Sequence, residues 1–158
     1  MLIGNTALYG ATGGELYCAG RAGERFAVRN SGATAVIEGT GDHACEYMTQ
    51  GTVVVLGETG FNVGAGMTGG RAFVHDPHGR LPLRLNDQLV TAQPVGGAEA
   101  AELRELVERH LRHTGSARAA ALLARWDDEL SHFRVVVPKA ELARLQSAFE
   151  GTVAGKAS

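Results

Sequence analysis

The sequence predicts a mainly β protein, a parallel β-helix of about four coils followed by a helical C-terminal tail. Three observations predict this fold. Seventeen of the 22 glycines lie within residues 1–79, and four similar segments recur in the same part of the chain. Residues 98–149 are instead rich in Ala, Leu, Arg and Glu, which favour helices. We therefore place a glycine-repeat β-helix at residues 1–84 and a helical tail at residues 85–158, which packs on or caps the β-helix.

The recurring segments define the coils. They read GGELYCAG (13–20), SGATAVIEG (31–39), QGTVVVLG (50–57) and GGRAFVHD (69–76). Each has a glycine followed by an apolar or alternating run, which predicts strands at 16–19, 35–37, 53–56 and 72–74. The aligned glycines are 18, 19 and 19 residues apart, and we expect a coil corner at each of Gly14, Gly32, Gly51 and Gly70. Glycine suits a corner because it adopts positive φ and allows close backbone approach.

Shorter strand-like pieces lie between these segments, at 6–9, 25–29, 44–48 and 62–67. A repeat this short cannot contain the crossover helix of a βαβ unit, which needs roughly 30 residues. The chain must return through strands alone, and successive coils then stack at about 4.8 Å. An antiparallel sandwich or barrel is the alternative, since it also has turns at short intervals.

The tail shows helical periodicity. A helix is predicted over 98–113, with Ser116 as the N-cap of a second helix that continues to about residue 130. An extended piece is predicted at 133–137, before a short last helix. The apolar positions of the three helices are Leu103, Leu106, Val107 and Leu111; Leu122, Leu123, Trp126 and Leu130; and Leu142, Leu145 and Phe149.

Composition narrows the function classes. The net charge is −2, with no basic cluster, so we expect no nucleic-acid partner. No run approaches the roughly 20 apolar residues of a membrane span, and no leader sequence follows Met1, so we expect a cytoplasmic chain that does not contact a membrane. Cys18 and Cys45 are predicted to be buried free thiols.

Gly64, Gly66 and Gly69 spell G-x-G-x-x-G, the fingerprint of a dinucleotide-binding turn. That turn needs a helix at its third glycine and an acidic residue about 20 positions later. A strand is predicted after Gly69 instead, and the acidic candidate, Asp87, follows a segment with two prolines. M-T-G-G at 67–70 also repeats M-T-Q-G at 48–51, so we interpret the motif as a coil corner.

No catalytic or metal site is predicted. On a strand, His43 and Cys45 would share one face, and His75 and His78 could add ligands, but no second ligand pair has a fitting spacing. His110 and His113 border the apolar face of the first tail helix, where we expect a solvated or capping role for both. No nucleophile has a matching base.

A binding surface for another protein domain is the more specific hypothesis. A spacing of four residues would place Arg21, Arg25 and Arg29 on the same side of a strand. The planar guanidinium suits bidentate contacts at interfaces. These arginines and Asn30 are therefore the candidate interface residues.

The segment from GNTALYG to GGRAFV (4–74) resembles the C-terminal glycine-repeat (GXGXG) domain of the glutamate synthase large (alpha) subunit. RLNDQLV, HTGSARAAALLARW and FRVVVPK are similar to the tail of that subunit, so the resemblance covers residues 3 to about 149. It implies a right-handed β-helix without catalytic residues or cofactor. In the family, this domain holds the amidotransferase and FMN synthase domains together, and FMN and an iron–sulfur cluster lie elsewhere. That enzyme converts glutamine and 2-oxoglutarate into two L-glutamate.

Alternatives remain open at this point. The chain could be a separately encoded glycine-repeat subunit of a related enzyme, of the methylated-glutamate synthase or formylmethanofuran dehydrogenase type. It could also be a stand-alone ligand-binding β-helix, since function resides in sites and not in folds. The expected partners are other domains or subunits of glutamate synthase, and a homodimer could form through an open N-terminal coil.

Overall fold

Eight strands and four helices form the fold in the computed structural model, which describes residues 2–86 and 88–142. In chain order they are β1 (Leu2–Ile3), β2 (Glu15–Tyr17), β3 (Arg21–Ala22), β4 (Ser31–Ile37), β5 (Gln50–Val55), β6 (Arg71–His75), α1 (Leu81–Arg84), β7 (Val90–Pro94), α2 (Gly97–Thr114), α3 (Ala117–Ala124), α4 (Trp126–Leu130) and β8 (Phe133–Pro138).

The larger sheet confirms the parallel β-solenoid. Its strand order is β2-β4-β5-β6-β8-β7, and the first four strands are parallel neighbours in sequence order. Ala35, Val53 and Ala72 are in register across three of them, so equivalent residues of successive coils lie side by side. The stack makes about three turns, slightly fewer than the four coils predicted.

The strands predicted at 6–9, 25–29, 44–48 and 62–67 are wrong. The chain there forms four six-residue turns, at 5–10, 24–29, 42–47 and 61–66, which we call the left-handed segments. In each of them the second, fourth and sixth residues have positive φ. A positive φ at every second residue repeats with period two, as side chains do on a strand, so the sequence pattern does not distinguish the two structures.

Backbone hydrogen bonds join the left-handed segments into a ladder. In the first three segments the second and sixth residues donate to the following coil, as in Arg25 N–H to Asp42 O and Arg29 N–H to Glu46 O, both 2.8 Å. The fourth residue donates to the preceding coil, as in Ala27 N–H to Ala7 O at 2.9 Å. The backbone is therefore paired although it is not a β-strand.

Both faces of the larger sheet are buried. Residues such as Ala35, Ile37 and Val53 face the interior of the solenoid, where they pack with Phe26, Met48 and Met67. The alternate residues Val36, Val54 and Phe73 form a second core with α2, α3 and α4. This alternation is the period-two burial of a strand with two covered faces.

The tail covers one side and one end of the solenoid. The predicted first helix is confirmed as α2, and Ser116 is the N-cap of α3, accepting a hydrogen bond from Ala119 N–H at 3.0 Å. The second predicted helix is interrupted at Arg125, which separates α3 from α4. The predicted extended piece is β8, which pairs antiparallel with β6 of the last coil. Most of the last predicted helix, including Leu145 and Phe149, lies outside the described residues.

Candidate functional site

The left-handed segments carry the most prominent exposed aromatic side chains. Tyr9, Tyr47 and Phe61 are 54%, 53% and 58% exposed. Each belongs to a different coil, and none of the three is among the residues that form the second core with α2, α3 and α4. Large exposed aromatic residues are characteristic of protein–protein interfaces, where they supply most of the binding energy. This side of the solenoid is therefore a candidate docking face.

Arginines accompany two of these rings. The Arg29 guanidinium carbon lies 5.5 Å from the centroid of the Tyr47 ring, and that of Arg84 lies 6.0 Å from the centroid of Phe61. Both distances are within the range of cation–π interactions. Arg84 is also fixed by a hydrogen bond to Thr59 O at 2.6 Å. The arginine and aromatic side chains thus form pre-arranged pairs on the surface.

The structure separates the four residues predicted to form an interface. Arg25 and Arg29 are exposed on one left-handed segment, whereas Arg21 belongs to β3 and lines a cleft. The common strand face predicted for the three arginines is wrong, because residues 24–29 are not a strand. Asn30 is fully buried, so its assignment to the interface is also wrong.

Asn30 instead holds a coil corner together. Its Oδ1 accepts hydrogen bonds from Gly32 N–H at 3.2 Å and from Ala33 N–H at 2.9 Å, and its Nδ2 donates to Ala33 O at 3.0 Å. An asparagine side chain commonly bonds nearby backbone in this way at turns. Because the side chain is also fully buried, it is not accessible to a partner.

The four aligned glycines differ in their surroundings. Gly51 has φ +102°, and a Cβ there would come within 2.5 Å of Ala33 O in the preceding coil. Gly14 has φ +90° with open space around it. Gly70 also has positive φ, whereas at Gly32 the constraint is proximity, because a Cβ would lie 2.4 Å from Thr12 O. That these glycines fix the corners stays a prediction.

A cleft of about 820 Å³ runs across the coils at the ends of β2, β4, β5 and β6 and reaches Arg118 of the tail. It is lined by four arginines, two histidines and three acidic residues: Arg21, Arg80, Arg84, Arg118, His75, His78, Glu38, Glu58 and Asp76. Several of these charges are already paired, with Arg80 Nη1 3.0 Å from Glu58 Oε1 and Arg118 Nε 3.9 Å from Glu38 Oε1. Internal pairing limits the charge available to an external ion.

His110 is a buried titratable group behind this cleft. Its side chain is fully buried on α2, neither ring nitrogen makes a hydrogen bond, and Nε2 lies 3.8 Å from Glu38 Oε2. Burial lowers the pKa of His110, and the nearby Glu38 carboxylate opposes that effect only in part. His110 is therefore a neutral core residue, and the solvated or capping role expected for it is wrong, because its ring lies inside the core and bonds no backbone group.

The residues weighed as metal ligands do not come together. His43 Nδ1 lies 2.6 Å from Glu46 Oε1, while the Cys45 side chain points into the solenoid core, so the predicted common face is wrong. Burial raises the pKa of Cys45 to about 12, which removes the thiolate that a metal would need. His78 is exposed in the turn after β6.

One set of metal-type ligands could not be found from the sequence. His75, Glu129 and His132 place one nitrogen or oxygen atom each within 4.8 Å of one another. His75 and Glu129 are 54 residues apart, and no periodicity connects them. Only the pairing of β6 with β8 brings these residues together, so no local signal in the sequence could have indicated them.

The G-x-G-x-x-G motif takes part in the solenoid. Gly64 and Gly66 have φ +75° and +68° in the last left-handed segment, and Gly69 is followed by β6. The strand predicted there is confirmed. Since no helix begins at Gly69, the backbone N–H groups of a helix N-terminus, which hold a pyrophosphate in dinucleotide-binding folds, are not provided by this motif.

Among the helices within residues 2–86 and 88–142, none has the length and apolar character that crossing a membrane requires.

Comparison with known proteins gives close relatives. Ferredoxin-dependent glutamate synthase 2 of Synechocystis is 56% identical over 142 residues, which is 89% of this chain and 9% of the relative. The chloroplastic ferredoxin-dependent enzyme of Spinacia oleracea is 51% identical over 144 residues, with the same shares. The NADH glutamate synthase of Schizosaccharomyces pombe is 49% identical over 147 residues, 92% of this chain and 7% of the relative.

The family model described as "GXGXG motif" matches residues 1–139. The match includes all four left-handed segments and the strands of the tail. The chain spans only 7–9% of the length of the relatives named above. The repeats, the solenoid and these matches agree: the chain belongs to the GXGXG-motif family and corresponds to a region of glutamate synthase.

Proposed function

We propose that this chain is the non-catalytic structural module of a glutamate synthase, the enzyme that makes two L-glutamate from glutamine and 2-oxoglutarate. In this proposal the amidotransferase and synthase domains, with FMN and the iron–sulfur cluster, lie in the remainder of the enzyme. The module holds those domains in a fixed relative position. Its small share of each relative's length supports this division, because most of each relative lies outside the matched region.

The observation that carries the proposal is the contrast between two sides of the solenoid. The outer face of the larger sheet is buried under α2, α3 and α4. The left-handed segments instead display Tyr9, Tyr47 and Phe61. Interfaces are enriched in such aromatic residues and in arginine. We therefore assign the docking face, formed by the left-handed segments, as the surface that contacts the remainder of glutamate synthase.

Arg25, Arg29 and Tyr47 are the contact residues that the geometry favours. All three are exposed on neighbouring coils, and the cation–π pair of Arg29 and Tyr47 restricts both side chains before binding. A side chain that is already ordered loses less conformational entropy when a partner binds. An acidic or aromatic surface on the partner would complement these groups.

Co-expression tests the proposal. A glutamate synthase polypeptide from the same genome, with the region corresponding to this chain deleted, is produced with and without the chain. We expect the two polypeptides to co-purify and glutamate formation to be recovered only when both are present. Equal activity with and without the chain, together with separate elution, would contradict the structural role.

Variants locate the docking face. Arg29→Ala and Tyr47→Ala should weaken co-purification, and interface hot spots of this type cost about 2 kcal/mol or more, a factor of roughly thirty in affinity. Arg104→Ala is the matched control, because Arg104 is an exposed arginine on α2, paired with Glu108. If Arg104→Ala weakens the complex as much as Arg29→Ala does, the docking face is assigned incorrectly.

The free edge of β2 supports a second contact. Within the described residues β2 pairs only with β4, so its other edge offers unpaired backbone groups. Natural proteins cover such edges. We infer that a strand from the remainder of glutamate synthase pairs with this edge. Light scattering of the isolated chain tests whether a second copy of the chain pairs there instead. A monomer alone that forms a complex with the remainder supports the inference, whereas a stable homodimer assigns the edge to a second copy.

A further inference from the structure

Three metal-type side chains converge where the last coil meets the tail. His75 ends β6, Glu129 lies on α4, and His132 lies in the connection from α4 to β8. His75 Nε2 is 2.7 Å from Glu129 Oε2, and His132 Nδ1 is 3.5 Å from the same oxygen. All three ligand atoms lie within 4.8 Å of one another. The three atoms are therefore close enough together to bind one metal ion.

The spacing fits a tetrahedral zinc ion after small adjustments. Zinc binds histidine nitrogen and carboxylate oxygen at about 2.0–2.2 Å, which places neighbouring ligand atoms roughly 3.3 Å apart. The His132–Glu129 separation is close to that value, and the His75–Glu129 contact is a hydrogen bond that a metal ion would replace. Two histidines and one carboxylate form a common three-residue zinc ligand set, with the fourth position left to water.

The cluster has an unsatisfied group and a route of entry. Nδ1 of His132 is buried and makes no hydrogen bond, so its ligand position is not committed within the described residues. The side chains of His75 and Glu129 are 12% and 19% exposed, while His132 is 44% exposed. His75 also lines the 820 Å³ cleft, which has room for a water ligand. An ion can therefore reach a site whose ligands are mostly shielded.

The ligand types of the cluster suit a divalent cation. Glu129 supplies a carboxylate oxygen, and His75 and His132 each supply an imidazole nitrogen. Imidazole ligands favour zinc over magnesium or calcium, which prefer oxygen.

We propose that His75, Glu129 and His132 bind one Zn²⁺ ion, with a water molecule from the cleft as fourth ligand. The ion would link β6, α4 and the residue before β8. These elements belong to the last coil and to the tail, so the metal would fix the tail on the solenoid. The site is distinct from the left-handed docking face, and it does not depend on the proposed glutamate synthase role.

Zinc titration of the full chain, freed of any affinity tag, tests the proposal. Binding is measured by competition with a chromophoric zinc chelator, and Co²⁺ serves as a spectroscopic probe because its visible absorption reports coordination geometry. The variants are His75→Gln and His132→Gln. The matched control is His43→Gln, because His43 forms a histidine–glutamate pair, with Glu46, in a different part of the solenoid.

We expect one Zn²⁺ per chain in the wild type and in His43→Gln, with a raised Tm when zinc is added. Loss of a residue that only supports a metal ligand weakens affinity about 10- to 100-fold, so loss of a ligand in His75→Gln or His132→Gln should cost at least roughly tenfold. The zinc-dependent rise in Tm and the Co²⁺ absorption should disappear with it.

His132→Gln is the decisive variant. Because the His132 side chain is partly exposed, this substitution is the least expected to disturb folding, and circular dichroism checks that the variant is folded. No stoichiometric binding by the folded wild type would overturn the proposal. Equal zinc affinity in wild type and His132→Gln would also overturn it, as would a Co²⁺ spectrum unchanged by that substitution.

Discussion

The ring of Tyr47 lies against Gly66 of the next coil, so that a Cβ on Gly66 would come within 2.5 Å of ring carbons Cδ1 and Cε1. Arg29, one coil earlier, lies near the same ring. Arg29, Tyr47 and Gly66 are the sixth residues of three successive left-handed segments. The Arg29–Tyr47 part of the docking face is therefore built on one position of the repeat, where Gly66 leaves room for the aromatic ring.

Gly66→Ala should cost more stability than Gly10→Ala. Gly10 is the equivalent residue of the first coil, with φ +67° and nothing within 4 Å of the place that a Cβ would occupy. Holding an alanine at such a positive φ costs about 1–2 kcal/mol in either variant. Gly66→Ala should lose about 1 kcal/mol more, because it also displaces Tyr47 from Arg29. Urea unfolding measures both free energies.

A double-variant cycle isolates the ring. In a Tyr47→Ala background, Gly66→Ala should cost no more than Gly10→Ala, because the clash is gone. If the two glycine variants lose equal stability while Tyr47 is present, the proposed steric role of Gly66 is wrong.

The corner glycines give a second comparison, between Gly51→Ala and Gly14→Ala. Gly14 has φ +90° and Gly51 has φ +102°, so an alanine at either position carries about 1–3 kcal/mol of backbone strain. Only Gly51 faces a backbone atom, Ala33 O, and relieving that overlap should add about 1–3 kcal/mol. The midpoint of thermal unfolding should therefore fall further in Gly51→Ala. Equal shifts would show that close coil contact does not require glycine there.

Asn30→Ala should destabilise the fold without affecting partner binding. It removes the side-chain partner of backbone groups of Ala33, which is buried, and of Gly32, which is partly buried, and a buried group left without a partner costs about 1–3 kcal/mol. Asn5→Ala is the control, since Asn5 is exposed and its Oδ1 accepts one hydrogen bond, from Glu24 N–H at 2.9 Å. We expect a loss of about 3 kcal/mol for Asn30→Ala and about 1 kcal/mol for Asn5→Ala. Similar losses would mean that burial of Asn30 has little effect.

Stability should fall in mild acid because of His110. Its pKa is lowered in the folded state, so the unfolded chain binds the proton more readily than the folded chain does. The contribution of neutral His110 is complete above the unfolded pKa of about 6.5 and is lost as the pH falls from there toward the folded pKa. Denaturant unfolding between pH 7.5 and about 5 measures this slope.

His110→Leu should flatten that part of the pH profile, because leucine binds no proton. The slope is compared, rather than the absolute stability, so that altered packing does not decide the result. His113→Leu is the control, since His113 is exposed on the last turn of α2. An unchanged slope in His110→Leu would assign the pH dependence to another group.

The sequence predicted the parts of the fold that repeat. Glycines 18 or 19 residues apart and apolar runs such as 53–56 indicated parallel stacked strands, because a short repeat leaves no room for a crossover helix. The N-cap role of Ser116 was predicted from a local pattern as well. Such features depend on residues close together in the chain or on identical spacing.

The left-handed segments were not predicted, for a physical reason. Leu8, Ala27, Cys45 and Tyr47 adopt φ between +54° and +60°, although residues with a Cβ disfavour that region. Ladder hydrogen bonds and the burial of Ala27 and Cys45 offset the strain. A signal existed in the last coil, where Asn62, Gly64 and Gly66 suit positive φ, and aligning the coils would have extended it to the others.

The ladder also restricts how the chain can change in length. Because each of the two inner left-handed segments bonds to the coil before it and the coil after it, neighbouring segments must remain in the same register. An insertion of one or two residues within a coil would move the N–H groups of its three positive-φ residues out of line with the carbonyl oxygens of the neighbouring coils, unless the added residues bulge out at a corner. Lengthening or shortening of the solenoid should therefore proceed by whole coils, and deletions that remove 18 or 19 residues should be tolerated better than deletions of nine.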